Sequence, residues 1–296
     1  MLYEQITANK RKTLFLISLF SVVIVFLGFA FGEWFGDVYS GIFIAVILSI
    51  IMSMIGYFKG DAIALTTSGA QAVEKADHPE LYRLVENLAI AGGLPTPKIY
   101  IMQDSAINAF ATGRDPNHAS IAVTSGALQT LNKTELEGVL AHELSHIGNY
   151  DIRVMTIVVV LVGIVILLSD IMRRSVFFGS RRRDRDESGG GLFLFGIALA
   201  ILSPLFAELI KLAVSREREY LADASGCLLT RYPDGLINAL EKISAQDEPM
   251  KNPSHATAHM FLANPFDPHV TSKFLQLFST HPPIEERIKR LKAAND

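Results

Sequence analysis

Four long apolar stretches divide the chain, at residues 13–31, 38–58, 154–169 and 192–207. The first two are free of charge and long enough to predict two membrane helices. They are separated by a short acidic loop, 33–37, that holds the single tryptophan, Trp34, a residue that favours the membrane interface. The third and fourth stretches have 16 uncharged residues each. At 1.5 Å per residue that is roughly 24 Å, short of about 30 Å of hydrocarbon, so a second hairpin of two short spans is expected. Between the hairpins the pattern changes to helical and alternating periods. A helix is predicted from His78-Pro79-Glu80 to about Ala91, stopped by Gly92-Gly93. Strands are predicted at 97–102, 107–112 and 120–124, the last two joined by the turn Gly113-Arg114-Asp115-Pro116-Asn117. A proline-free helix follows from Lys133 towards Asp151, with Asn132 and Thr134 as capping candidates. Later helices are predicted at 236–245 and 284–292.

This pattern divides the chain into four parts: a membrane hairpin (1–59), a first soluble block (60–153), a second membrane hairpin (154–212) and a second soluble block (213–296). Lys10, Arg11, Lys12 and Lys59 flank the first hairpin on one side, and its loop carries no positive charge. The positive-inside rule then places both soluble blocks in the cytoplasm. Six arginines between residues 173 and 185, in the linker of the second hairpin, run against that rule if both short stretches cross. Whether they cross or only dip, the chain enters and returns on the same side, so the two soluble blocks can meet.

Half of the 296 residues are hydrophobic and the mean hydropathy is +0.31, as expected for a protein part membrane and part soluble. The net charge of −3 gives no case for a nucleic-acid partner. Cys227 is the only cysteine, which excludes an internal disulfide and a multi-thiolate metal site.

The chemistry concentrates in His142-Glu143-Leu144-Ser145-His146. On a helix, residues four apart share a face, so His142 and His146 can present ring nitrogens to one metal ion while Glu143 reaches a water beside it. Two histidines and a glutamate on an apolar helix are costly to bury without such a partner. A peptidase site of this kind needs a third protein ligand. Glu217 and Glu219, after the second hairpin, are both candidates. Glu219 is preferred because Asp223 lies one turn on and can orient a ligand histidine. His255 and His259 are also four apart, but their proline-rich setting argues against a second metal site. The sheet preceding the metal helix could offer an edge to an extended peptide. A non-catalytic metal-binding scaffold is the competing class. It would call for ionisable residues within the spans, and the first two spans have none in their cores.

Asn108-Ala109-Phe110, the His142–His146 motif, Glu219-Tyr220-Leu221-Ala222-Asp223 and Thr280-His281-Pro282-Pro283 with Arg287 together resemble the HtpX-type membrane zinc metalloproteases, relatives of the CAAX prenyl endopeptidases and OMA-type proteases. The order of these motifs and the paired membrane helices match over nearly the whole chain. The resemblance implies a mainly α fold: a four-helix integral membrane protein with a cytoplasmic zincin-like (gluzincin) domain carrying a small β-sheet. It implies one Zn²⁺ held by His142, His146 and Glu219, with Glu143 as catalytic base. It further implies His281 close to the reacting carbonyl, Asp223 behind the ligands, and Asn108, Ala109 and Phe110 beside the substrate. The expected activity is degradation of unfolded or misfolded membrane-protein segments at the bacterial inner membrane during stress. Trimming of CAAX-type C-termini is the narrower alternative.

Overall fold

The computed structural model describes residues 2–179, 215–246, 248–266 and 282–295. The fourth apolar stretch, the arginine-rich linker from 181 onward and His281 lie outside these residues.

Helices α1 (Leu2–Phe35) and α2 (Val38–Thr67) form an antiparallel hairpin. Its backbones touch where a Cβ on Gly28 would lie 2.7 Å from the Gly41 carbonyl oxygen, and one on Gly41 only 2.8 Å from the Cα of Gly32. Small residues at this crossing let two apolar helices pack by backbone contact. The outer faces carry exposed Phe15, Val22, Phe26, Phe43, Ile44 and Ile50. An apolar belt of that extent belongs in lipid, and these two helices anchor the chain in a membrane. Both helices outrun the apolar stretches. Lys10-Arg11-Lys12 lies within α1, and α2 carries Lys59 and Asp61 and continues to Thr67.

Beyond α2 comes β1 (Ala70–Ala72), then α3 (Pro79–Ala91) and β2 (Lys98–Met102). The β3 (Ala109–Gly113) and β4 (Ala119–Thr124) strands form the expected hairpin across a 3-10 turn, Pro116–His118. The sheet order is β1-β2-β4-β3, with β2 parallel to β4 and the other pairs antiparallel. Every residue of β3 and β4 is buried, so neither strand shows a polar face.

Helix α4 (Ser125–Thr130) leads into α5 (Lys133–Gly148). Asn132 caps α5 by accepting from the Glu135 amide, and the Glu135 carboxylate accepts from the Asn132 amide. This reciprocal capping box fixes where the helix starts. The same carboxylate accepts from Lys242 Nζ at 2.7 Å. That bond ties α5 to α8 (Pro233–Ser244).

The helix expected to run on to Asp151 breaks instead. Tyr150 adopts a left-handed backbone, φ 62°, and α6 (Asp151–Gly179) leaves at 83° to α5. Along α6, residues 154–162 are all buried, packed against α1, α2 and β3. In that part the third apolar stretch is protein core rather than a lipid-facing surface.

Helix α7 (Arg216–Thr230) crosses α5 closely, and α9 (Ile284–Asn295) packs on α7 and α8. The close crossing depends on Gly226, where a Cβ would lie 3.0 Å from the backbone nitrogen of His142.

Candidate metal centre

His142, Glu143 and His146 sit in the C-terminal half of α5, which packs against β3, α3, α7 and α8 and is mostly buried. His142 and His146 occupy one face, as four-residue spacing requires. Their Nε2 atoms are 3.2 Å apart. Glu219, from the first turn of α7, brings Oε2 to 3.7 Å from His142 Nε2 and Oε1 to 3.6 Å from His146 Nε2. Glu217 is exposed and points away from this group, whereas Glu219 is buried in it. Among the described residues this is the one group of three or more His, Cys, Asp or Glu whose ligand atoms converge, all within 4.8 Å of one another.

The far side of each imidazole is held by a carboxylate. Asp223 Oδ1 lies 3.0 Å from His142 Nδ1. Asp151 Oδ2 lies 3.1 Å from His146 Nδ1. A carboxylate only accepts, so each Nδ1 donates and each neutral ring turns a bare Nε2 lone pair inward. Two lone pairs and a carboxylate then face one point with no donor between them. That arrangement repels itself unless a cation occupies the point. Ligands 2.0–2.1 Å from a tetrahedral zinc lie about 3.3–3.4 Å apart, close to the spacing found here. The side chains therefore fit a small divalent cation.

Among the described residues, four carboxylates, Glu143, Asp151, Glu219 and Asp223, surround the group, with the guanidiniums of Arg218 and Arg287 and the Lys12 ammonium as the cations near them. Burial pushes the His146 imidazole down, but its hydrogen bond to Asp151 and the Glu219 carboxylate outweigh that and push it up to about 9. Without an ion that proton sits on Nε2, facing Glu219, and a bound cation has to displace it to leave the lone pair bare. Burial also pushes the Asp223 carboxyl up, yet the Arg287 guanidinium and the bonds from His142 and Arg287 hold it well below the usual carboxylate range. Burial raises the Glu143 carboxyl, offset in part by His142 and His146. Its Oε2 is buried and makes no hydrogen bond among the described residues.

Arg287 of α9 is fully buried behind the ligands. It donates from Nε and Nη2 to the two oxygens of Asp223, at 2.9 and 2.6 Å, and from Nη1 to the Leu262 carbonyl at 3.2 Å. Asp151 is the site residue that the sequence alone did not bring out. Five residues after His146, it would lie on the opposite side of a straight helix. The bend at Tyr150 returns it to His146.

The strand residues expected beside a substrate are engaged with the chain itself. The Asn108 side chain donates to the Ala263 carbonyl and accepts from the Ala263 amide, at 3.0 and 3.2 Å. The Ala109 carbonyl accepts from the Leu262 amide at 2.9 Å. The ring of Phe110 meets Phe261 edge-on at 5.1 Å. Segment 261–263 thus lies along the start of the outer edge of β3. His259 is buried with Nε2 donating to the Met155 carbonyl, and His255 stacks on Phe266. Neither joins the metal group. His118 is exposed and bonded to Asp115.

Cys227, on the turn of α7 after Asp223, is buried, and burial followed by the Asp223 charge pushes its thiol up to about 11 from 9.0. A group raised this way carries less anion at every pH below its folded value. At pH 8 the thiolate population should be about a hundredfold below that of a free cysteine. Alkylation by iodoacetamide should therefore be slow in the folded protein and reach the rate of a free thiol on unfolding in denaturant. Rapid alkylation of the native protein would contradict this placement.

Residues 75–295 match Peptidase family M48. The chain is 47% identical over 290 residues to a Protease HtpX homolog of Dictyoglomus turgidum, covering 98% of this chain and 94% of that one. It is 45% identical over 294 residues to a Protease HtpX homolog of Tropheryma whipplei, covering 99% and 98%. Among solved structures, the crystal structure of S. mikatae Ste24p superposes with a TM-score of 0.52 at 20% identity, over 98% of this chain and 67% of that one. At that identity the likeness concerns the fold alone. The converging His-His-Glu group, the two membrane helices and these full-length relatives agree, and the chain belongs to peptidase family M48 as a membrane metallopeptidase of the HtpX type.

Proposed function

We propose that this protein is a zinc-dependent endopeptidase in which His142, His146 and Glu219 hold the ion and Glu143 is the general base. The observation that carries this reading is the inward-facing set of two Nε2 lone pairs and one carboxylate, with both Nδ1 atoms tied to aspartates. Bound zinc supplies Lewis acidity for the peptide carbonyl and for water. Glu143 stands on the helix face beside the ligands with a buried oxygen that makes no hydrogen bond among the described residues. It takes the proton of the attacking water and returns it to the leaving amine. Its carboxyl, raised by burial, is a stronger base than an exposed glutamate. Asp223 and Asp151 keep the two imidazoles in the tautomer that binds metal. His281, two residues before the described Pro283, is assigned to the developing oxyanion.

The substrate is an extended segment of an unfolded or misfolded membrane protein. Depth of burial supports this, because a folded surface does not reach α5, and so does the tether of two membrane helices. Asn108, Ala109 and Phe110 are placed along the substrate path, which requires segment 261–263 to yield the β3 edge. The protease domain faces the cytoplasm from the bacterial inner membrane, with Lys10, Arg11, Lys12 and Lys59 on the inner side. Its role is quality control under stress.

The test is metal removal from the detergent-purified full chain, followed by addition of zinc, with an unfolded protein as substrate. Cleavage should disappear with chelator and return with about one equivalent of zinc per chain. Cleavage that persists in a chain shown to be free of metal would end this reading.

A further inference from the structure

The corner between α5 and α6 is held from outside the soluble domain. Asn9, two turns into the first membrane helix, is buried at 5% exposure. Its Nδ2 donates to the Asn149 carbonyl at 2.9 Å and to Asp151 Oδ1 at 2.8 Å. Both partners only accept, so the amide nitrogen must be the atom that faces them. The two bonds span the left-handed Tyr150 and brace the 83° bend. The other oxygen of Asp151 accepts from His146 Nδ1. Arg218 Nη1 stands 3.6 Å from Oδ1, so Asp151 has a partner at each oxygen.

We propose that Asn9 is a positioning residue for the metal site, acting through Asp151 on His146, so that metal binding depends on the docking of the first membrane helix. This rests on the reading of His146 as a ligand. Asp151 reaches His146 only because the helix bends, and Asn9 is the residue that grips both sides of the bend. With Asn9 in place, the Asp151 carboxylate presents Oδ2 to Nδ1, and Nε2 is left bare and aimed at the ion. Without it, the carboxylate can rotate towards Arg218 and His146 loses both its tautomer and its orientation. The first membrane helix is then a working part of the site as well as an anchor.

The experiment measures zinc affinity of the detergent-purified full chain by competition with a fluorescent chelator. Asn9→Ala should weaken binding about tenfold, the low end of the effect of partners behind a ligand. Asn9→Asp, which cannot donate and repels Asp151, should weaken it further. Leu16→Ala is the control. Leu16 is fully buried two turns further along the same helix, in the apolar core. It should lower the unfolding temperature and leave zinc affinity unchanged. On an Asp151→Asn background, Asn9→Ala should produce no further loss. The proposal is overturned if Asn9→Ala binds zinc like the wild type. It is also overturned if Leu16→Ala weakens binding as much, or if the loss from Asn9→Ala is the same on both backgrounds. A wild-type chain that binds no zinc would instead defeat the ligand reading itself.

Discussion

Glu143→Gln is expected to abolish proteolysis while leaving the metal in place. The substitution keeps the shape of the side chain and removes its ability to take a proton. Positioned proton transfer contributes about 10²–10⁴-fold to a rate, or about 3–5 kcal/mol of barrier. Glu143 is outside the group of converging ligand atoms, so metal content should match the wild type. Stability should not fall. The carboxyl is almost fully buried and raised by that burial, so a neutral amide removes a desolvation cost. The three readouts separate the possible roles. Lost cleavage with unchanged metal and an unchanged or higher unfolding temperature identifies a base. Lost metal would make Glu143 a ligand, and wild-type cleavage would remove it from the chemistry.

The parts of this fold that the sequence exposes are those set by local pattern. Two charge-free runs gave the membrane hairpin, and the four-residue spacing of His142 and His146 gave the metal face. The choice of Glu219 over Glu217 rests on Asp223 one turn away; in the structure Glu219 is buried beside the imidazoles and Asp223 lies 3.0 Å from His142 Nδ1. What the sequence hid depends on breaks in the pattern or on distant packing. Gly148-Asn149 marks a helix end before Tyr150, but nothing local says that the chain turns there by 83° and continues as a second helix, so the role of Asp151 was invisible to helical spacing. Asn9 reads as an ordinary polar residue before an apolar run until the corner is seen against it. Residues 154–162 read as a membrane span, but a charge-free run looks alike whether it faces lipid or protein, so their packing against α1, α2 and β3 was not legible. The strand at Asn108 reads as an open edge, since nothing local announces that segment 261–263 lies along it.

Those hidden features share one consequence: the site is assembled from parts far apart in the chain. Each imidazole is aimed by an aspartate, and each aspartate is aimed by a group from another element. Asp151 is held by Asn9 of α1, 142 positions away. Asp223 is held by Arg287 of α9, 64 positions away. Such supports fix the ligands better than a single helix can, because the rings are free to rotate about their own side-chain bonds.

Arg287→Met should therefore be among the most destabilising single changes in the soluble part. The guanidinium is fully buried, with both Asp223 oxygens and the Leu262 carbonyl as acceptors and Glu219 Oε2 at 3.9 Å. Its removal takes two charge-assisted hydrogen bonds from the buried Asp223 carboxylate and leaves it with the neutral His142 N–H. Breaking a buried pair in this way costs about 3–5 kcal/mol. Arg287→Lys should recover little of it, because an ammonium cannot reproduce the two parallel bonds to Asp223 or reach Leu262 at the same time. Arg290→Met, which removes a half-exposed partner of Glu286, should stay within about 0.5 kcal/mol of wild type. The double variant Arg287→Met with Asp223→Leu distinguishes stability from function. Removing both members of the pair should regain much of the lost stability. Metal affinity should stay low, because His142 has lost the acceptor that orients it. Thermal unfolding of the metal-free chain in detergent gives the first quantity and zinc competition the second. An Arg287→Met chain that melts with the wild type would show that the pair adds nothing to the fold. A double variant that binds zinc normally would show that Asp223 does not aim His142.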